Sequence, residues 1–320
     1  MKKILTSSSL MISALVFTQS AVAVELDITP SGFVDLVWTL SDGTDLGING
    51  DEGQFNTSGE LDIESKLKDG ITLRIDADIN PSTAGSDSAS LEQIYLKWEV
   101  APKLSLMGGV FNNKLTFEKE DAPDIYQVTH GQLWDIWNTS TAEDGNNLQG
   151  VELSYQLEKV NLFIGYLNDL NNTPDKNSLE IAAEINAVKD MDITLGLITQ
   201  DQNLETIFDI FASYKNNNLL FAGEIMIADE QVDNALMLMA NIKIDEKLSA
   251  TVRYDLVNYD DAFLADSTSS LTLAGLYSIS NNLYANAEIR FNNDDNLPIA
   301  APRIGEGDGT TARLELIATF

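Results

Sequence analysis

The side chains that could carry out chemistry are few, because the sequence contains one histidine and no cysteine. A Ser-His-Asp triad or a histidine-bearing metal site would have to use His130, while thiol catalysis and cysteine-ligated metals are excluded. No catalytic residue is predicted, since His130 lies in a polar stretch without a recognisable partner. Two acidic clusters, Asp51-Glu52 and Glu306-Gly307-Asp308, offer oxygen ligands but lack EF-hand spacing. The sequence therefore predicts no metal site and no cofactor.

Charged residues form a second candidate set. Arginines stand on the polar side of four alternating segments, at Arg74, Arg253, Arg290 and Arg313. The longest connection, residues 112–147, carries the carboxylates of Glu118, Glu120, Asp121, Asp124 and Asp135. A basic face opposite an acidic loop would create a transverse electric field, and charged side chains of this kind set the selectivity of pores. Local pairing of arginines with carboxylates two residues away on the same face is the alternative, and it can coexist with the field. Examples are Arg253 with Asp255, Arg290 with Glu288, and Arg313 with Glu315.

The whole chain is strongly acidic, with 19 basic and 50 acidic residues and a formal net charge of −31. Nucleic-acid binding is excluded, because phosphate neutralisation needs clustered lysine and arginine side chains. One explanation for such a charge is a strongly hydrated protein surface in water of high salt concentration, where counterions screen the repulsion between the carboxylates. The alternative is an electrostatic funnel that favours cations.

The first residues have the pattern of a secretory signal peptide. Lys2 and Lys3 precede a mostly apolar stretch at residues 4–18, and Ala21-Val22-Ala23 supplies the small residues of a cleavage site. That stretch is short for a transmembrane helix, which needs about 20 residues. We expect residues 1–23 to be removed and residues 24–320 to form a single domain, which changes the formal net charge from −31 to −33.

Apolar and polar residues alternate along most of the remaining chain, which is the pattern of strands with one apolar and one polar face. Asp69-Gly70 separates two such segments as a tight-turn pair. The alternation predicts sixteen strands, at residues 31–40, 53–68, 70–80, 90–100, 103–111, 148–158, 160–168, 178–188, 191–200, 204–215, 219–228, 234–245, 247–258, 268–279, 282–292 and 310–320.

Short and long connections between these segments alternate in strict order. Outer-membrane barrels have an even strand number and short turns at one end, and a closed barrel satisfies every backbone group within lipid. The fold class is therefore predicted to be all-β, a transmembrane antiparallel β-barrel of about sixteen strands, rather than a soluble sandwich or a solenoid. Aromatic residues of the apolar face are expected in two interfacial belts, at Trp38, Tyr166, Phe208 and Phe291 and at Trp98, Tyr155, Tyr214, Tyr277 and Phe320.

Two stretches resemble known outer-membrane proteins. The last predicted strand, 310–320, closes on Phe320, and its segment 312–320 resembles the signal that the barrel-assembly machinery recognises. Residues 109–169 resemble the corresponding part of the OmpL-like β-barrel porins, in the strand that reaches Gly109 and Phe111, in Glu118 and the polar loop after it, and in Gly150-Val151 and Leu167-Asn168-Asp169.

The resemblance implies that residues 112–147 form the third outer loop of a porin, which folds into the lumen and narrows it. Within this loop Asp124 is expected to cap a helix that runs through Trp137. A loop that covers the outer rim, or that packs on a neighbouring subunit, is the alternative.

The expected function is that of an outer-membrane porin, a passive channel for small hydrophilic solutes or ions. Filtering by size and charge would occur at the loop, where the four arginines and the five carboxylates named above would line the pore. The expected partners are outer-membrane lipid, the solutes, and the assembly machinery through Phe320; a homotrimer is left open. An outer-membrane enzyme that uses His130, and a closed structural or adhesive barrel, are the alternatives.

Overall fold

The protein is represented by a computed structural model that describes residues 27–42, 53–67, 70–80, 88–199, 206–228, 232–259, 267–294 and 309–320. Within these ranges no helix is both long and apolar enough to cross a membrane. Several sequence predictions lie outside the described residues: the signal peptide at 1–23, the acidic clusters Asp51-Glu52 and Glu306-Gly307-Asp308, and Asp69 of the tight-turn pair.

Sixteen antiparallel strands form one closed barrel, which confirms the predicted fold class. Each strand pairs with its neighbours in the chain, and β1 closes the ring on β16, with Phe33 opposite Thr319 and Leu40 opposite Ala312. The strands are β1 (Asp27–Asp42), β2 (Gln54–Leu67), β3 (Ile71–Asn80), β4 (Ser88–Ala101), β5 (Leu104–Asn112), β6 (Asn147–Gln156), β7 (Val160–Asn168), β8 (Asn177–Val188), β9 (Met191–Thr199), β10 (Thr206–Lys215), β11 (Leu219–Ala228), β12 (Val232–Lys243), β13 (Leu248–Tyr259), β14 (Ser267–Ser280), β15 (Leu283–Asp294) and β16 (Gly309–Thr319).

The two faces of the barrel wall differ in chemistry. On β13, Val252 and Tyr254 point outward and are 42% and 39% exposed, whereas Arg253 and Asp255 point inward and are fully buried. Aliphatic and aromatic side chains cover the outer surface in the same way round the ring. Soluble monomers rarely expose so large a contiguous apolar surface. Of the aromatic residues predicted for the two belts, those that are exposed are Tyr166, Phe208, Phe291, Trp98, Tyr155, Tyr214, Tyr277 and Phe320.

Short connections lie at one end of the barrel, each between an even-numbered strand and the next odd-numbered one, as predicted. Lys103 and Asp190 adopt positive φ angles of 69° and 62°, the backbone conformation that tight hairpins require. The connections at the opposite end are longer, except for residues 229–231 between β11 and β12, where the predicted strict alternation of short and long connections fails. Two of the longer connections, residues 113–146 and 169–176, lie within the described chain.

The connection between β5 and β6, here called the inner segment (residues 113–146), contains one helix, α1 (Gln132–Ser140), and two 3₁₀ turns, Ala122–Asp124 and Asp144–Asn146. The predicted helix start at Asp124 is wrong, because α1 begins at Gln132 with Gly131 as its N-cap. Val128 and Thr129 instead donate their backbone N–H groups to Glu288 on the barrel wall, over 2.8 and 3.0 Å. A helix from Asp124 would have used those groups in its own hydrogen bonds.

An apolar cluster joins α1 to one side of the wall. Leu133, Ile136 and Trp137 of α1 are buried in the same cluster as inward-facing residues of β9 to β13. Inward positions of a water-filled barrel are usually polar, so these apolar positions mark the part of the wall that the inner segment covers. They are Ile198, Ile207, Met226, Met237 and Val257.

Candidate functional site

Arg253, at the centre of β13, ties the inner segment to the wall. Its guanidinium is fully buried, with Nη1 2.7 Å from Oε1 of Glu118 and Nε 2.9 Å from Oδ2 of Asp255. Nη1 and Nη2 also donate to the backbone carbonyls of Thr129 (2.8 Å) and His130 (2.9 Å). Two carboxylates and two carbonyls therefore replace the water that this buried cation loses.

Glu118 is the partner of Arg253 on the inner segment. Its carboxylate also accepts hydrogen bonds from the Gln127 side chain and from the backbone N–H of Gly131, at 2.5 Å for the latter. Burial raises the pKa of Glu118, and the charge of Arg253 opposes that rise. Glu118 thus joins the start of the inner segment, the N-terminus of α1 and the wall.

A second set of contacts lies next to the first, on β15 and β16. Glu288 accepts the backbone N–H groups of Val128 and Thr129, and Nη1 of Arg313 lies 3.4 Å from its Oε1. Nη1 of Arg290 donates to the carbonyl of His130 over 3.0 Å. Of the local pairs weighed from the sequence, Arg253–Asp255 is present, whereas Glu288 binds Arg313 and the inner segment.

Arg74 stands in a different environment, on β3. Its guanidinium pairs with Asp76 (2.6 Å) and Asp62 (3.2 Å), both on the wall. The four arginines therefore do not form one group. Arg253 and Arg290 contact the inner segment directly, Arg313 reaches it through Glu288, and Arg74 pairs with one carboxylate of its own strand and one of β2.

Glu120 and Asp121 extend the inner segment toward β2, β3 and β4. One carboxylate oxygen of Glu120 lies within 4.8 Å of oxygens of both Asp78 and Glu92. Burial, followed by the charge of Glu92, raises the pKa of Glu120 to about 11. Burial also raises the pKa of Asp121 to about 6, although a hydrogen bond with Glu60 opposes it. This side of the inner segment faces carboxylates, whereas the Glu118 side faces an arginine.

The two remaining predicted carboxylates have different surroundings. Asp124 is exposed at the end of a 3₁₀ turn, beside a cavity of about 550 Å³ at the short-turn end of the barrel. Asp135 lies in the first turn of α1, where burial raises its pKa to about 7 and the charge of Arg290 acts in the opposite direction. A second cavity at the same end, about 840 Å³, is lined by residues that include Lys97, Lys114 and Glu184.

His130 packs as a neutral ring. Its imidazole stacks on Trp134 with the ring centroids 3.6 Å apart, and Nδ1 lies 4.0 Å from Oε2 of Glu118. Burial and the nearby charge of Arg253 lower the pKa of His130 to about 3. The geometry thus explains the residue as part of the packing between α1 and the wall.

Several residues of this site were not recognised in the sequence. The sequence pattern indicates Glu288 and Asp255 only as local partners of arginines, and it assigns no role to Glu60, Asp76 and Glu92. The alternation of polar and apolar residues places Glu60 and Asp76 on the inner face of adjacent strands, so it could have identified these two. It could not have identified Glu92, because a β-bulge opposite Asp76 and Ala77 interrupts the alternation of β4 there.

Solved structures share this fold. The chain is similar to OmpF of Salmonella typhi (TM-score 0.71, 12% identity, covering 92% of this chain and 97% of that one). It is also similar to the outer membrane channel DcaP of Acinetobacter baumannii (TM-score 0.68, 12% identity, 92% and 97%) and to an anion-selective porin from Comamonas acidovorans (TM-score 0.68, 13% identity, 92% and 100%). No family model and no curated protein matches the sequence, so the resemblance to the OmpL-like porins is not confirmed. These likenesses establish the fold as that of a sixteen-strand porin barrel.

Proposed function

We propose that this protein is an outer-membrane porin, a passive diffusion channel for small hydrophilic solutes or ions. The observation that carries the proposal is a closed sixteen-strand barrel with an exposed apolar outer face and a charged inner face. Lipid solvates the first face and water the second, and such a barrel satisfies its backbone groups inside a bilayer. Solved structures of the same fold include proteins named as an outer membrane channel and as a porin.

The inner segment is proposed to act as the size and charge filter. Its hydrogen bonds reach Glu224 on β11, Arg253 on β13 and Glu288 on β15, and these contacts support a path into the lumen rather than along the rim. Asp124 is exposed and Arg74 partly exposed, and we place both along the remaining path. Arg253, Arg290 and Arg313, with Glu118 and Asp135, would act by holding the segment in place. Asp121 would give its other side a negative charge, next to Glu120, whose raised pKa keeps it protonated at neutral pH.

Localisation and partners follow from the same proposal. The mature chain would reside in the outer membrane of a Gram-negative bacterium after removal of residues 1–23. Phe320, which is 63% exposed and donates its backbone N–H to the carbonyl of Gly32 (3.1 Å), would present the assembly signal. A homotrimer is compatible with the exposed apolar outer face, and no enzymatic activity is proposed.

Single-channel recording tests this function. We expect purified protein in planar bilayers to give stepwise conductance, and a KCl gradient to give a reversal potential of the sign for cation preference, because carboxylates dominate the charged residues. Protein that refolds as a barrel but produces no conductance steps would contradict the channel.

A closed barrel is the second candidate, favoured by how tightly the inner segment is held. Phe117, Glu118 and Thr129 bind three separate strands of the wall, and Leu133 and Trp137 are buried. If this candidate is correct, the native protein will be silent in bilayers. A variant with the contact removed, Arg253→Met, would then conduct.

A further inference from the structure

Carboxylates crowd together on the inner face of β2, β3 and β4, away from the arginine contacts of β13 to β16. One oxygen each from Glu60, Asp76 and Glu92 lie within 4.8 Å of one another. A second triad, Asp78, Glu92 and Glu120, meets the same criterion and shares Glu92 with the first. The two triads bring together three barrel strands and the inner segment.

The first triad is deeply buried and keeps free oxygen atoms. Glu60, Asp76 and Glu92 are 4%, 0% and 1% exposed. Oε1 of Glu60, Oδ1 of Asp76 and Oε2 of Glu92 are all buried, and none has a hydrogen-bond partner among the described residues. Buried carboxylate oxygens normally accept hydrogen bonds, so three in one place require an explanation.

The other oxygens of two of these carboxylates are held by neighbours. Oδ2 of Asp76 accepts from Nε of Arg74 over 2.6 Å. Oε1 of Glu92 accepts from the amides of Gln93 (3.3 Å) and Asn147 (3.2 Å). One oxygen is thus fixed by a donor while the other oxygen of the same carboxylate remains free. Hydrogen-bond donors orient the carboxylate ligands of a metal in this way.

The β-bulge in β4 explains how Glu92 enters the cluster. Asp76 pairs with Gln93 and the next residue, Ala77, pairs with Leu91, so Glu92 is the extra residue. Both Glu92 and Gln93 are consequently buried, although neighbouring positions of a regular strand point to opposite faces. The bulge directs a carboxylate into the triad and directs an amide beside it.

We infer that Glu60, Asp76 and Glu92 bind a divalent cation of the calcium type, with the adjoining triad of Asp78, Glu92 and Glu120 extending the site to the inner segment. Calcium takes oxygen ligands at about 2.4 Å. Two ligands of one such ion are therefore at most about 4.8 Å apart, the limit that the triad meets. Magnesium demands a tighter octahedral shell, which carboxylates on three separate strands are poorly placed to form.

Charge supports the same occupant. The three carboxylates carry three negative charges when ionised. Within the part of the chain that the structure describes, Arg74 neutralises one of these charges through its ion pair with Asp76. A divalent cation would cancel the two charges that remain. Because Glu120 belongs to the inner segment, the adjoining triad would also fasten that segment to β3 and β4, away from Arg253.

Calorimetric titration of chelator-treated protein in detergent tests the site. We expect at least one Ca²⁺ to bind per chain with a dissociation constant below about 1 mM, and Mg²⁺ to bind at least tenfold more weakly. Glu92→Gln should weaken Ca²⁺ binding at least tenfold. Glu180→Gln is the matched control, since Glu180 is a fully buried, inward-facing carboxylate of β8 with unpartnered oxygens. The Glu180→Gln protein should bind Ca²⁺ with the affinity of the native chain.

Thermal unfolding provides an independent readout that does not require the Glu92 variant to fold well. Ca²⁺ should raise the Tm of the native chain and of Glu180→Gln by mass action, and it should raise that of Glu120→Gln by a smaller amount. The absence of Ca²⁺ binding to the native chain at millimolar concentrations would overturn the inference. Equal weakening by Glu92→Gln and Glu180→Gln would also overturn it, because it would indicate diffuse attraction to an acidic protein.

Discussion

At the scale of single residues, the buried ion pair of Arg253 and Glu118 has the strictest structural requirement, because each charge needs the other in place. Both side chains are buried, and their charges face each other over 2.7 Å. Removing both charges together costs little in many proteins, whereas removing one partner leaves the other charge buried and unpaired. The pair therefore fixes the position of the inner segment, because Glu118 compensates the buried charge of Arg253 only when that segment is docked on the barrel wall.

Replacing Arg253 with methionine should release the inner segment. Loss of one member of a buried pair typically costs about 3–5 kcal/mol, and here the cost falls on docking, since the barrel strands keep their own hydrogen bonds. The backbone N–H groups of Val128, Thr129 and Gly131, which donate to Glu288 and Glu118, report the change. Their hydrogen exchange should accelerate at least about 100-fold.

Lys66→Met is the control for this variant. Lys66 pairs with Glu64 over 3.3 Å, but its side chain is 72% exposed, and exposed ion pairs contribute little. Exchange of the same three amides should stay at the native rate in this control. Native exchange rates in Arg253→Met itself would refute the role given to the arginine.

At the scale of elements, the strands were predictable and the inner segment was not. Period-two alternation is a local signal, and the wall requires it in nearly every strand because lipid and water solvate opposite faces. The predicted strands therefore match the observed ones, apart from ends such as that of β1, which begins at Asp27 rather than at residue 31. The same pattern also predicts that the side chain of Arg253 lies on the inner face of the barrel.

The contacts of the inner segment depend on residues far apart in the chain, which alternation does not connect. Glu118 and Arg253 are 135 positions apart, and Thr129 and Glu288 are 159 apart. The start of α1 was misplaced for the same reason, since the preceding backbone binds the wall instead of itself. Apolar inward residues such as Met226 and Met237 become explicable only once α1 covers them.

The orientation of the wall can be tested with two arginine substitutions on β8. Ile181 is 55% exposed and lies opposite Ile164 and Leu197 near the middle of the barrel wall. Ile181→Arg should lower the free energy of unfolding from lipid vesicles by about 2–4 kcal/mol, the cost of arginine near the bilayer midplane. Denaturant titration of vesicle-inserted protein measures this change in the free energy of unfolding.

Glu184→Arg on the same strand is the comparison. Glu184 borders the cavity of about 840 Å³ and accepts a hydrogen bond from Asn161 over 3.0 Å. Because this side of the strand faces the lumen, the arginine stays hydrated and the change should cost about 1 kcal/mol or less. Equal destabilisation by the two substitutions would show that the faces had been assigned wrongly.

At the scale of the whole molecule, the protein reverses the usual arrangement of a globular chain. Exposed apolar side chains cover the outside, while Arg253, Glu118, Asp76 and Glu92 are buried inside. Closure of the sheet makes this arrangement stable in lipid, because each strand has two hydrogen-bonded neighbours. In the proposed porin, the excess of acidic residues would leave the water-filled side with a negative field that the buried ion pairs cancel only locally.

That field predicts how ion selectivity depends on salt. The Debye length falls from about 10 Å at 0.1 M to about 3 Å at 1 M salt, so the attraction of cations by carboxylates along the lumen should weaken. At a constant KCl gradient ratio, the ratio of cation to anion permeability should fall toward one as the mean concentration rises over that range. Reversal potentials in planar bilayers measure the trend. A ratio that does not change with salt would place selectivity in direct contacts at the narrowest point, where buried charges are poorly screened, and would remove the net charge of the chain as its cause.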